Sequence, residues 1–343
     1  MPAASPLSLA AGAGLDVYAT NQTLETVTGG GFITNSQNSS AILALGGAAD
    51  FSFGGVIADN SANLVTPLSR LALTKEGASV LTLSLPQLYA GVTTINSGVI
   101  NLTGTALPGT GNVVFGSGTS PELRLSRTDS FTLANVLEGG GQVTMAGSGT
   151  ATLTALNPLF NGTLSVDAGT VVIGDGATSG SIGTAGLVFN GGTVRFNRTD
   201  APTLADPTLG LTIAGVVSGN GAIVQAGTGG TTFAPSSSTF TGTVAVDAGT
   251  LILGTTDALA GASSITVASG GRIEFALDQT LGDGIANLVD VTINGTAVLN
   301  TTGASAQIGD LTVNGGVLSG TSSFGSGSFG FNGAVLVTQD ATF

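Results

Sequence analysis

Acidic clusters and arginine pairs are the residues of this chain with chemistry to offer. Asp278, Asp283 and Asp290 form its densest acidic group, and carboxylates gathered in one loop can hold a hard cation such as Ca²⁺. They make a candidate metal site, weighed against the simpler expectation of a solvated loop. The preferred reading is the loop, because calcium loops interleave several acids with a fixed glycine. Arg124/Arg127 and Arg195/Arg198 are spaced three apart, and each pair is followed by Thr-Asp. On a strand such residues point to opposite sides; one reading is an anion or glycan ligand held by stacked Arg from neighbouring units. The competing and preferred expectation pairs each Arg with Asp129, Asp200, Glu122 or Glu274.

Other reactive groups are scarce. The chain has no histidine and no cysteine, so the commonest general base and all thiolate chemistry are missing. Asp167 and Asp247 recur inside Asp-Ala-Gly and read as turn-entry residues. A polysaccharide-active enzyme is the catalytic alternative, and it would need paired carboxylates that the scattered acids do not offer. Gly219-Asn-Gly lacks the third glycine of a dinucleotide fingerprint, and no Gly-Lys-Ser/Thr occurs. No cofactor is expected.

Composition narrows the partners. A net charge of −13 with seven Lys and Arg, none adjacent, argues against nucleic acid and anionic membranes. No apolar run reaches the roughly 18 residues of a membrane-spanning helix, so no membrane insertion is expected. Hydrophobic residues make up 42% and charged residues only 8%, which suits a chain with a core rather than a disordered one. The 56 glycines keep no G-X-Y period, which excludes collagen.

What positions these residues is an internal repeat. Gln87–Leu102, Pro158–Ile173 and Ser238–Leu253 align on the aromatics Tyr89, Phe160 and Phe240. They also align on the glycines Gly91, Gly162 and Gly242, and again on Gly98, Gly169 and Gly249. The interval is roughly 70 to 80 residues. Inside each copy every second residue is apolar, as in Thr163-Leu-Ser-Val-Asp, which is the period of a strand with one buried face. Asp-Ala-Gly, Asn-Gly and Ser-Gly-Gly close the runs as turn signals. Short strands, glycine turns and a long repeat predict an all-β chain coiled as a right-handed parallel β-helix, a β-solenoid. At about 20 residues per rung, it would hold about 14 rungs.

These segments resemble the bacterial autotransporter passenger-associated strand-repeat family. The family's typical unit reads roughly as a Lys-x-Gly-x-Gly-Thr-Leu-x-Leu segment, an aromatic-x-Gly turn and a Gly-Thr-Leu strand, and Gly147–Ile173 and Gly227–Leu253 are similar to it. The first copy keeps Lys75 and Gly77 but has Ala78-Ser79-Val80 where glycine and threonine are usual, and the later copies lose the lysine. The resemblance implies an extracellular or cell-surface protein with a structural or adhesive role rather than an enzymatic one, and a surface glycan or a host or matrix component as ligand. It also implies a translocator barrel after the passenger. The chain reaches Phe343 without one, so an excised passenger or a free-standing relative is expected. Met1–Gly14 has no basic n-region and is not expected to be a secretory signal.

The sequence divides into an N-terminal β segment over 1–52, a possible cap or assembly element, a repeat body over 53–275 and degenerate rungs over 276–343. Neither end offers a charged cap helix. Open rungs template other chains, so self-association through the solenoid ends into fibres or matrix is expected.

Overall fold

The computed structural model describes residues 5–59, 70–200, 210–276, 281, 288–299, 305–320, 328–331 and 333–342. Asp278 and Asp283 lie outside them. The protein is a parallel β-solenoid of about 14 turns, with no α-helix among the described residues. Its contacts divide into two compact units, Met1–Ala151 with Asn157–Leu164, and Thr152–Leu156 with Ser165–Phe343.

In the first unit the alternation in sequence becomes ladders through the core. Leu71–Lys75 turns Leu71, Leu73 and Lys75 inward. Successive turns stack like on like: Phe53, Leu83, Leu102, Leu125 and Met145 occupy one inner ladder. Phe51, Leu81, Ile100, Leu123 and Val143 occupy the next. Each fully buried Leu or Val contributes on the order of 1.5–3 kcal/mol, and the strand spacing of about 4.8 Å brings their methyls into contact. The N-terminal segment joins this pattern, with Gly14–Asp16, Phe32–Asn35 and Val56–Asp59 stacked in register.

The second unit repeats the scheme. Val171, Val194, Ile223, Val244, Ile265, Val291 and Leu311 form one inner ladder across consecutive turns. Long strands such as Thr243–Leu253 and Ser264–Phe275 bend at a register shift near Ala248, so a single strand serves two faces.

The repeat glycines fall into two kinds. Gly98, Gly169 and Gly249 adopt φ of +70°, +59° and +61°, the left-handed region that favours glycine. Gly91, Gly162 and Gly242 instead pass against the preceding turn, where a Cβ would strike the carbonyls of Leu71, Gly141 and Gly221. The repeat aromatics also depend on glycine. Phe160 meets Phe115 at 5.8 Å between ring centroids, and Phe240 meets Phe189 at 5.0 Å edge-on. Gly141 and Gly221 lie under the Phe115 and Phe189 rings, where any Cβ would collide with them. Tyr89 is fully buried, and its hydroxyl shares a 2.7 Å hydrogen bond with Thr93 Oγ1; burial pushes its pKa up to about 12.

Candidate functional site

Most of the polar residues with chemical potential are committed to turn corners. Arg127 is buried and forks onto Asp129 at 2.9 and 2.6 Å, donates to the Thr105 and Ala106 carbonyls, and lies 4.2 Å above the Phe131 ring. Arg198 is buried too, forking onto Asp200 at 2.8 and 2.5 Å and donating to Gly180 O at 2.6 Å. The guanidiniums hold both carboxyls below the usual carboxylate range. Arg124 forks onto Glu122 at 2.9 Å, and Arg272 reaches Glu274 at 3.1 Å. Arg195 approaches Asp247 at 3.9 Å, a partner that residue spacing did not suggest. Of the two sequence pairs, Arg124 and Arg195 face outward, with side chains 37% and 40% exposed.

Acids and amides staple one turn to the next. Val80 N donates to Asp50 Oδ1, Leu137 N to Asn157 Oδ1, Asp310 N to Asp290 Oδ1 and Ala334 N to Asp310 Oδ1, at 2.7–2.9 Å. Asp59 accepts the Leu71 amide on one oxygen and the Ala90 amide on the other. Asp167 accepts the Ser165 hydroxyl and the Asn190 amide. Each staple satisfies a backbone donor or polar side chain that a turn would otherwise leave open. Asp290 of the acidic trio is thus a staple. Among the described residues no three acids converge as cation ligands do.

Two further polar residues sit in the core itself. Lys75 occupies an inner ladder between Leu45 and Ile95, and its ammonium donates to Glu76 O at 2.6 Å, Gly77 O at 2.8 Å and Ser97 O at 3.4 Å. Burial lowers its pKa to about 8. Gln225 stands in the corresponding inner ladder between Phe196 and Val246, donating to Gly227 O and Gly229 O. The repeat pattern marks the lysine but not its buried role. The signal was available: Lys75 falls on the inward parity of Leu71 and Leu73.

One concavity of about 600 Å³ opens on the first unit. Asn21, Ile42, Ala72, Val92 and Asn112 stand level on five consecutive turns, as the registers Gln22↔Leu43, Ile42↔Ala72, Thr93↔Leu73 and Thr93↔Val113 require. Arg70 joins their rim. Ile42 and Val92 are 42% and 41% exposed. No carboxylate lines this groove, so paired-carboxylate hydrolysis has no site there.

The passenger-associated-transport-repeat family matches residues 73–102, 143–173 and 223–253. Three separate stretches of the chain are thus similar to this repeat. Each copy starts on an inward-facing residue two before the Lys75, Met145 or Gln225 position. Over 221 residues the chain is 33% identical to the adhesin BmaC autotransporter of Brucella suis biovar 1 (strain 1330). That stretch covers 58% of this chain and 6% of the Brucella protein. No solved structure matches the chain.

Proposed function

We propose that the chain is an adhesive, non-enzymatic segment of a surface-displayed or extracellular β-solenoid. The observation that carries this reading is the union of passenger-associated repeats with a polar inventory committed to turn stapling. Charged groups that a catalyst would orient around a substrate are instead joined to neighbouring side chains and to backbone amides and carbonyls. The similarity to an autotransporter adhesin supports the same reading and the cell-surface location. A solenoid of regular ladders offers long, rigid outward faces suited to multivalent contact.

The reading includes self-association through the solenoid ends. Val335–Gln339 pairs with Leu311–Asn314 along one edge, while Val335, Leu336 and Val337 are 47–54% exposed. In this reading the apolar strand pairs with a strand of a second copy.

Beads coated with the purified chain test the adhesive reading against host-cell, matrix-protein and glycan-coated surfaces. Retention above uncoated beads on at least one surface is expected, and retention on none contradicts the reading. Sedimentation tests the end contact. The expected result is a weight-average mass that rises with concentration and stops rising in a Val335→Lys/Val337→Lys variant. A concentration-independent monomer would overturn it.

A further inference from the structure

We infer that the groove of the first unit binds a carboxylated glycan, with Arg70 as its carboxylate anchor; this deepens the adhesive reading and rests on it. Of the six arginines, five reach a carboxylate within 3.9 Å. Arg70 has no such partner among the described residues, is exposed, and stands at the rim of the concavity of about 600 Å³. In a chain of net charge −13, an exposed cation without a carboxylate is a departure from how the other guanidiniums are used. The nearby Asp59 has both oxygens occupied by the Leu71 and Ala90 amides.

The rest of the groove suits a sugar. Ile42, Ala72 and Val92 form an aliphatic stripe with Asn21 at one end and Asn112 at the other, spanning five turns or about 20 Å. Pyranose rings present C–H faces to such a stripe and hydroxyls to the flanking amides. A planar guanidinium takes a carboxylate through two parallel N–H donors. A concavity of about 600 Å³ lies within the usual range for small-ligand sites, roughly 300–1,000 Å³. Glu138, one turn beyond Asn112, is occupied by the Asn112 amide at 2.6 Å. An extended acidic peptide fits less well, because this is the face of a sheet whose backbone is already paired from turn to turn. Strand addition needs an open edge.

Titration calorimetry of the purified chain against oligogalacturonate, alginate, hyaluronan and sialylated oligosaccharides tests the proposal, with methyl-esterified oligogalacturonate and poly-glutamate as controls. The chain is expected to bind at least one carboxylated glycan. Arg70→Gln should weaken that binding by roughly 10- to 100-fold, the loss of a charge-assisted contact, while the circular dichroism spectrum and Tm stay unchanged. Val92→Asp should abolish it, and esterification should weaken oligogalacturonate if that is the ligand. Equal affinity of wild type and Arg70→Gln overturns the proposal, as does preference for the ester or for poly-glutamate, or no binding to any acidic glycan. Beads that adhere while these results fail leave the adhesive reading standing without the groove. Arg70-dependent glycan binding by a chain whose beads adhere to no surface would sink the adhesive reading alone.

Discussion

The Arg127 and Arg198 corners carry the same Arg-Thr-Asp tripeptide but bury its carboxylate to different depths. Asp129 is 48% exposed, whereas Asp200 is 12% exposed and also accepts the Gly210 amide at 3.0 Å. Arg127 in turn has two carbonyls and an aromatic face to lean on, while among the described residues Arg198 leans on the Gly180 carbonyl. One local motif therefore makes a half-solvated ion pair in the first unit and a less solvated one in the second. What separates them is the surrounding turn, since burial of the carboxylate decides how strongly the pair is coupled.

Removing the guanidinium should expose that difference most. Arg198→Leu leaves the less exposed Asp200 without its counter-charge and is expected to cost more than the about 1 kcal/mol of a surface pair, toward the about 3–5 kcal/mol of a fully buried one. Arg127→Leu should cost a fraction of that, because water reaches Asp129. Urea unfolding of the two variants measures both, and equal losses would mean that the surrounding turn is irrelevant.

Acid should separate the corners next. Both carboxyls are held below their ordinary value by the arginine hydrogen bonds. Their contribution is therefore complete above the unfolded value of about 3.9 and is lost as pH falls through the depressed folded values. Asp200→Asn should flatten the acid limb of the stability profile more than Asp129→Asn, since the exposed pair is screened. A steeper effect at Asp129 would reverse the ranking.

A smaller effect is expected at alkaline pH, where the two buried donors differ. Lys75 releases its proton near 8 when folded and near 10.4 when unfolded. Between these values the unfolded chain holds the extra proton, so stability rises with pH, by at most about 1.4 kcal/mol per unit. Buried Tyr89, raised to about 12, reverses the trend above about 10, where the unfolded phenol ionises first. Lys75→Gln imitates the Gln225 position and should remove the rise between pH 8 and 10. Thermal melts across that interval check it, and an unchanged slope would place the titration elsewhere.

Much of the architecture was legible from residue spacing, because a solenoid writes each turn twice. It appears once as alternation along the strand, and again as glycine where stacked turns touch or reverse. Tyr89, Phe160 and Phe240 marked the repeat, but their packing partners did not show. Phe115 and Phe189 lie in other turns, and only the register brings them over Gly141 and Gly221. The groove was illegible for the same reason. Asn21, Ile42, Ala72, Val92 and Asn112 share no motif and become neighbours only once five turns are stacked. Arg124/Arg127 and Arg195/Arg198 were visible as pairs, yet spacing alone did not say which member would be buried. That depends on the Thr105, Ala106 and Gly180 carbonyls waiting at the corners.

The central claim is that charged side chains hold the turns together while recognition falls to the uncharged stripe beside Arg70. The most direct test is adhesion of beads coated with Arg124→Gln/Arg195→Gln chain beside beads coated with Val92→Asp chain. The account predicts that the double arginine variant adheres like wild type and that Val92→Asp does not. Loss of adhesion in the arginine variant, with full adhesion retained by Val92→Asp, would contradict it.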